Sequence, residues 1–268
     1  MAKTFDINNF VIDRVIRGVA LSQKDDSVLF SINQMQNVSL NCASESTDAV
    51  DALGTPIATF YRAKSAEFSA ENAIFDMNLM ATQLGTTKKV AGTEQKDKSI
   101  LKITAPAMES FAYGTGSYEL KHTPKTVPNE IYVLNGDSTF GKKFVKGTSA
   151  SDSEFAITNK TLALPTGLAA TDELFVMYDY ETDSAVEVVN SATEFPVGCK
   201  FIMEVLGCDV CDQTTLVHAY VIFNNFKLSP DFDWSIATDG AHPFSGKAQQ
   251  AYCDKEKRLF SIVIPSEE

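Results

Sequence analysis

The sequence lacks the usual signatures of nucleotide-binding and hydrolytic enzymes. It contains no G-x-x-x-x-G-K-[ST] loop and no G-x-G-x-x-G after a strand, the common phosphate cradles. It also lacks the G-x-S-x-G turn that presents a nucleophilic serine. No stretch approaches the ~20 apolar residues of a membrane span, and Met1–Phe10 has no apolar signal-peptide core. We therefore expect a soluble, non-enzymatic protein that needs no membrane and no signal peptide.

Positive charge is scarce in this chain. The 23 Lys and Arg face 35 Asp and Glu, which gives a net charge of −12. Proteins that grip nucleic acid neutralise phosphates with Lys and Arg, so the balance argues against a nucleic-acid-binding function.

Metal-ligating residues are also few. Cys208 and Cys211 in "CDVC" have the spacing of half a zinc site, but no second pair completes it, and the other cysteines occur singly: Cys42, Cys199 and Cys253. His218 lies in an apolar strand pattern, which favours a core or interface position, and His242 is expected in a loop beside Asp239. We predict no metal, no cofactor and no catalytic residue, and the odd number of cysteines favours reduced thiols in a cytoplasm.

A strand-like pattern runs from Ile57 to Phe68. Its apolar side chains alternate with polar ones, which predicts a half-buried strand with Thr59, Tyr61, Ser65 and Glu67 on the polar face. Arg62 and Lys64 fall on the apolar side, which suggests that this face is partly wet or paired with another chain.

A helix pattern follows this strand without Gly or Pro between them. Ser69 is a predicted N-cap, and small and apolar residues then recur at spacings of three and four. Gly85 stands where a left-handed residue ends a helix. The pattern predicts a helix over 70–84 that packs on the sheet through Ile74, Met77 and Leu84.

The pattern of apolar and turn-forming residues changes near residue 127. Short strand patterns such as "EIYVL" and "ELFVMYDYE" alternate with turn-rich segments, with no helical period, up to about residue 190. The spacing predicts a small all-β, immunoglobulin-like insert over 127–189. The flanking parts, 1–126 and 190–268, then form one β domain, and "KFIMEVLGCDV", "TLVHAYVIFNNFKL", "DFDWSIA" and "RLFSIVIP" are its predicted later strands.

This order of segments resembles the major tail tube proteins of tailed phages. The resemblance covers most of 28–125 and 190–265, through "DALGTPIATFYRAKSAEFSAENAIFDMNLMATQLGT", "CKFIMEVLGCDVCD" and "FNNFKLSPDFDWSIATDGAHPFSG". It implies a mainly β, tube-forming sandwich or barrel with one flanking helix. It also implies a homo-oligomer of stacked hexameric rings in the virion tail, assembled in the host cytoplasm and carrying DNA as transient cargo.

The resemblance also implies roles for named residues. Thr59, Tyr61, Ser65 and Glu67 become candidates for the lumen, while the candidates for subunit interfaces are Arg62, Lys64, Ile74 and Met77. Other tail proteins, namely a sheath or terminator and a baseplate, are expected partners. The alternatives are a capsid decoration or head protein, a carbohydrate-binding adhesin module and, least favoured, a hydrolase.

Overall fold

The chain folds as a mainly β protein with two compact units. The computed structural model describes residues 9–114, 116–251 and 255–265; most of the N-terminal segment and Cys253 lie outside these ranges. Strands hold 55% of the residues and helix 3%, so the predicted fold class is confirmed. Unit 1 comprises the described residues up to Lys88 and from Val188 onward, and unit 2 is Lys89–Glu187. Within the described ranges, no helix has both the length and the apolar character needed to cross a bilayer.

The elements follow one another in three groups along the chain. Unit 1 begins with β1 (Phe10–Ser22), β2 (Val28–Ile32), β3 (Met35–Val50), β4 (Pro56–Asn72) and α1 (Met77–Gln83). Unit 2 contains β5 (Lys89–Val90), β6 (Ile103–Ala112), β7 (Ser117–Glu119), β8 (Glu130–Leu134), β9 (Phe140–Lys146), β10 (Glu154–Thr158), β11 (Thr161–Ala163), β12 (Glu173–Thr182) and β13 (Val186–Glu187). Unit 1 then resumes with β14 (Gly198–Asp209), β15 (Asp212–Leu228), β16 (His242–Ala248) and β17 (Ser261–Val263).

The core of unit 1 lies against one large sheet. Its strand order is β2-β1-β14-β15-β16-β4-β3, with β17 on the edge of β15. Phe68 lies at the centre of the core, with ring centroids 5.4 to 6.0 Å from four other phenylalanines: Phe201, Phe223, Phe226 and Phe244. Such tilted and edge-on ring pairs contribute beyond the area that they bury, so this cluster anchors the sheet.

Three strand assignments differ from the sequence-based predictions. No strand was predicted before Val28, yet β1 pairs with both β2 and β14, and register shifts after Ile12 and Val15 break its alternation. The segment 231–237, predicted as a strand, lies in a loop. His242, predicted in a loop, begins β16.

The predicted helix start is wrong, while its predicted end is correct. Ser69 stays in β4, where it pairs with Ser39 of β3 and Ser245 of β16. Because strands on both sides bond the backbone of β4 as far as Asn72, no helix forms there, and the N-cap is Asp76. Gly85 has a φ of +72° after the last helical turn, as predicted.

Unit 2 is built on a separate seven-stranded sheet. The order is β6-β12-β8-β9-β10-β11-β7, and its core includes Phe144, Phe155 and Leu174, each 0% exposed. The unit begins at Lys89, earlier than the predicted boundary at 127, and its first strands pair within it: β5 with β13, and β6 along its whole length with β12. The immunoglobulin-like architecture stays a prediction.

A buried carboxyl group stabilises unit 2. The Glu109 side chain, 3% exposed, accepts hydrogen bonds from the hydroxyls of Tyr178 and Tyr118 and from the backbone N–H of Lys121. Burial, then this hydrogen bonding, raises the pKa of both phenols. The three donors satisfy the acid, so it connects β6, β7 and β12.

Candidate assembly surface

A two-stranded arm extends from the sheet of unit 1. We define the arm as 43–65, the outer parts of β3 and β4 with their connecting turn. Every residue in it is exposed, and β16 pairs with β4 only over Ala66–Asn72. Its ten β4 residues span about 30 Å at roughly 3.3 Å each. A two-stranded ribbon is marginally stable alone in water. We therefore expect another surface to cover this arm.

The arm carries large apolar side chains despite its exposure. These are Val50 (54% exposed), Leu53 (91%), Ile57 (71%), Phe60 (55%) and Tyr61 (70%). They are divided between the two faces of the arm, since Phe60 pairs with Thr47 and Tyr61 pairs with Ser46. Large exposed apolar side chains concentrated in one segment favour an interaction site. The arm is therefore the strongest candidate for a contact between chains.

The turn at the arm tip holds Leu53 in an outward position. The Asp51 carboxylate accepts hydrogen bonds from the backbone N–H groups of Leu53 and Thr55, at 2.8 and 2.9 Å. Gly54 donates its N–H to the Asp51 carbonyl at 3.0 Å and adopts a φ of +85°. These bonds order the tip before any partner binds, which lowers the entropic cost of association.

A β-bulge at Ala63 reverses the faces of the arm. Ser65 pairs with Ala43, but Arg62 pairs with Glu45, so β4 contains one more residue than β3 at this point, and Ala63 has a φ of +48°.

The lumen candidates are therefore divided between two faces. Since alternate residues of β3 share a face, Ser65 and Glu67 lie on the same face as Arg62. Tyr61 and Thr59, opposite Ser46 and Asp48, lie on the other face with Lys64. The single polar face predicted for Thr59, Tyr61, Ser65 and Glu67 is wrong. Arg62 and Lys64, predicted on one face, are separated as well.

A second exposed apolar region lies at the opposite end of β4. We call it the end cluster: Ile74 (59% exposed), Phe75 (37%), Trp234 and Ile236 (84%). The Phe75 and Trp234 rings stack with centroids 4.6 Å apart. Ile74, predicted as a packed helical residue, lies before the helix and is exposed, because the helix begins three residues later. Met77 is half-buried in the first turn of α1.

The outward face of the unit 1 sheet carries paired charges. Glu67 bonds Lys247 at 2.7 Å, and Glu204 contacts both Arg17 at 2.7 Å and His218 at 2.8 Å. The His218 side chain is 47% exposed, so it is not a core residue, and the interface alternative stays a prediction. These ion pairs offset part of the positive charge of this face, on which Lys227 of β15 also lies directly opposite Lys247 of β16.

No metal or thiol chemistry is evident in the parts of the chain that the structure describes. Those parts contain no group of three or more His, Cys, Asp or Glu placed to hold a metal ion. Cys208 lies near the end of β14, and Cys211 lies in the turn between β14 and β15. Burial raises the pKa of the Cys199 thiol to about 12, which keeps it protonated at neutral pH.

Comparison with known proteins gives one family. The model of the YomU/Tube protein family matches residues 10–257, which cover both units. A search of curated proteins gives no significant match. The family match agrees with the resemblance to tail tube proteins noted in the sequence.

Proposed function

This chain belongs to the YomU/Tube protein family, and on that premise we propose that it polymerises as stacked rings into a phage tail tube, a conduit for DNA ejection. The observation that carries the proposal is the exposed apolar arm, whose two strands are left uncovered by the residues that the structure describes. In this function the protein makes and breaks no bonds.

Two different apolar surfaces support polymerisation. The arm tip lies before Pro56 and the end cluster follows Asn72, so the two are separated by the full length of β4. A contact between unlike surfaces is heterologous, and it repeats from copy to copy to form rings or open filaments. Axial stacking through these two surfaces therefore extends without limit, as a tube requires.

The charge of the chain suits a channel for DNA. A wall with exposed cations would add phosphate contacts and slow the polymer, whereas a net charge of −12 repels it weakly. We assign Ser65 and Glu67 to the lumen, because they share the outward face on which Glu67 pairs with Lys247. Arg62 shares that face, where its cross-strand neighbour Glu45 supplies a compensating charge.

The proposed setting is the virion tail. The rings are expected to be hexameric and assembled in the host cytoplasm, with a sheath or terminator and a baseplate as neighbours. Unit 2 is proposed to project from the tube wall as an immunoglobulin-like insert. DNA is a transient, non-specific cargo in this scheme, with no membrane involved.

Electron microscopy of the purified protein tests this function. Wild-type protein at high concentration should form tubes of stacked rings, and Leu53→Asp should prevent the stacking while leaving the fold intact. Met108→Asp is the matched control, because Met108 is 65% exposed on β6 of unit 2 and lies outside the arm. Dispersed monomers or closed trimers of the wild type would contradict the proposal and favour a decoration or adhesion role. Normal tubes from Leu53→Asp would exclude the arm as the contact.

A further inference from the structure

An imidazole is buried where β16 begins. His242 is 0% exposed and pairs with Asn72 of β4, so the side chain lies inside unit 1 next to the segment that leads into α1. A fully buried histidine with polar partners has one preferred protonation state, because its surroundings fix which nitrogen carries hydrogen.

The contacts of His242 define that state. Nε2–H donates to Oε1 of Gln83 at 2.8 Å, and the amide of Gln83 donates to the Pro243 carbonyl at 3.1 Å, which fixes the orientation of Gln83. The other nitrogen, Nδ1, faces the backbone N–H of Asp76 at 3.5 Å and accepts from it. The ring is therefore neutral, with its proton on Nε2.

The same residues hold both ends of α1. The Asp76 carboxylate caps the helix by accepting from the N–H groups of Asn78 and Leu79, at 2.9 and 2.7 Å. Gln83, the last helical residue, is 0% exposed. His242 thus joins the start and the end of the helix to β16.

The charged groups around this ring are all acidic. Asp76 is the group whose charge acts on the imidazole and favours its protonation, whereas burial, the larger effect, lowers the pKa of His242. Helix α1 has no charged residue, and Glu71 lies on the opposite face of β4. The loop before β16 carries three acids, all exposed: Asp231, Asp233 and Asp239.

We infer that His242 is a proton-sensitive latch that holds α1 on the sheet when neutral and releases it in acid. A proton taken from solvent at Nδ1 turns this acceptor into a donor that opposes the N–H of Asp76. The imidazolium then competes for the Asp76 carboxylate that caps the helix. Release exposes Leu79, which is 0% exposed in the docked state. The latch goes beyond the proposed tube function and is testable on the unassembled chain.

The direction of the pH dependence follows from the sign of the shift. With a folded pKa below the ordinary 6.5, the contribution of His242 to stability is complete above pH 6.5 and is lost as the pH falls through the window below that value. The chain has one tryptophan, Trp234, which stacks on Phe75. Because Phe75 also lies 5.2 Å from His242, Trp234 fluorescence reports the latch directly.

The test measures Trp234 fluorescence and the hydrogen exchange of the backbone amides of residues 77–84. Both are compared between about pH 7.5 and about pH 5, a range in which most carboxylates stay ionised. Wild type should show a fluorescence change together with faster exchange at the lower pH, after correction for intrinsic rates. His242→Gln should abolish both changes. The chain has three histidines, so the control His122→Gln/His218→Gln leaves only His242 and should retain both.

Several outcomes would overturn the latch. These are no change in wild type, a change that persists in His242→Gln, or a change that disappears in the double control variant. If His242→Gln fails to fold, Asp76→Asn decides the matter: it keeps an oxygen to cap the helix but removes the anion that favours protonation. Its transition should move to lower pH, and an unmoved transition would contradict the mechanism.

Discussion

Substitutions of two phenylalanines on β4 test folding and assembly independently. Phe68 is 1% exposed and has four phenylalanine neighbours, whereas Phe60, eight residues earlier on the arm, is 55% exposed. Phe68→Ala removes a ring from a closed core and should lower the free energy of unfolding by about 3–5 kcal/mol. Phe60→Ala should change the free energy of unfolding of the unassembled chain by less than about 0.5 kcal/mol.

Phe60→Ala, which barely changes folding stability, should weaken assembly. If a neighbouring copy covers the exposed half of Phe60, truncation removes about 1–2 kcal/mol of burial from each contact. That loss weakens each contact by roughly 5- to 30-fold. Phe60→Ala should therefore stay folded but need a higher protein concentration to form tubes.

Urea unfolding of the dilute chain gives the first quantity, and sedimentation of a concentration series gives the second. Comparable losses of unfolding free energy in the two variants would show that the arm is packed within its own chain. Unchanged assembly by Phe60→Ala would show that no neighbouring copy covers the Phe60 ring.

Three further substitutions test particular features. Ile74→Asp should lower the free energy of unfolding, measured in urea, by less than about 0.5 kcal/mol, because Ile74 is 59% exposed. A loss of several kcal/mol would show instead that Ile74 is buried in a helix. Gly85→Ala should destabilise by more than about 1 kcal/mol, since its φ is +72° and a Cβ would lie 2.3 Å from the Phe195 carbonyl carbon; an unchanged melting temperature would contradict this backbone. Glu109→Ala leaves three donors without an acceptor and should cost at least about 1–3 kcal/mol by the same assay, while an unchanged midpoint would show that water replaces the carboxyl.

The strand-to-helix junction shows how far local sequence decides structure. Gly85 was predicted correctly because the need for positive φ is a property of one residue. Ser69 and Asp76 are both competent N-caps, and the choice between them depends on β3 and β16, which bond β4 as far as Asn72. No local pattern contains that information.

The arm shows a different limit of prediction. Arg62 and Lys64 interrupted the alternation of the strand, and that interruption was the available signal for the bulge at Ala63. Nothing local identifies Ala63 itself, because alanine seldom adopts positive φ. Both faces of the arm are exposed because β16 pairs with β4 only beyond the arm. That depends on the order of strands in the sheet, which no local sequence pattern contains.

The short ladder between β5 and β13 has a practical consequence. Lys89 pairs with Glu187 there, with Nζ and Oε2 3.2 Å apart, so the chain enters and leaves unit 2 at adjacent positions. Paired strand residues have Cα atoms about 5 Å apart. Any foreign domain whose two ends match that spacing can take the place of unit 2 as an interchangeable cassette. In the proposed tube, the position between residues 88 and 188 would be a grafting point for displaying an enzyme or an antigen at high copy number.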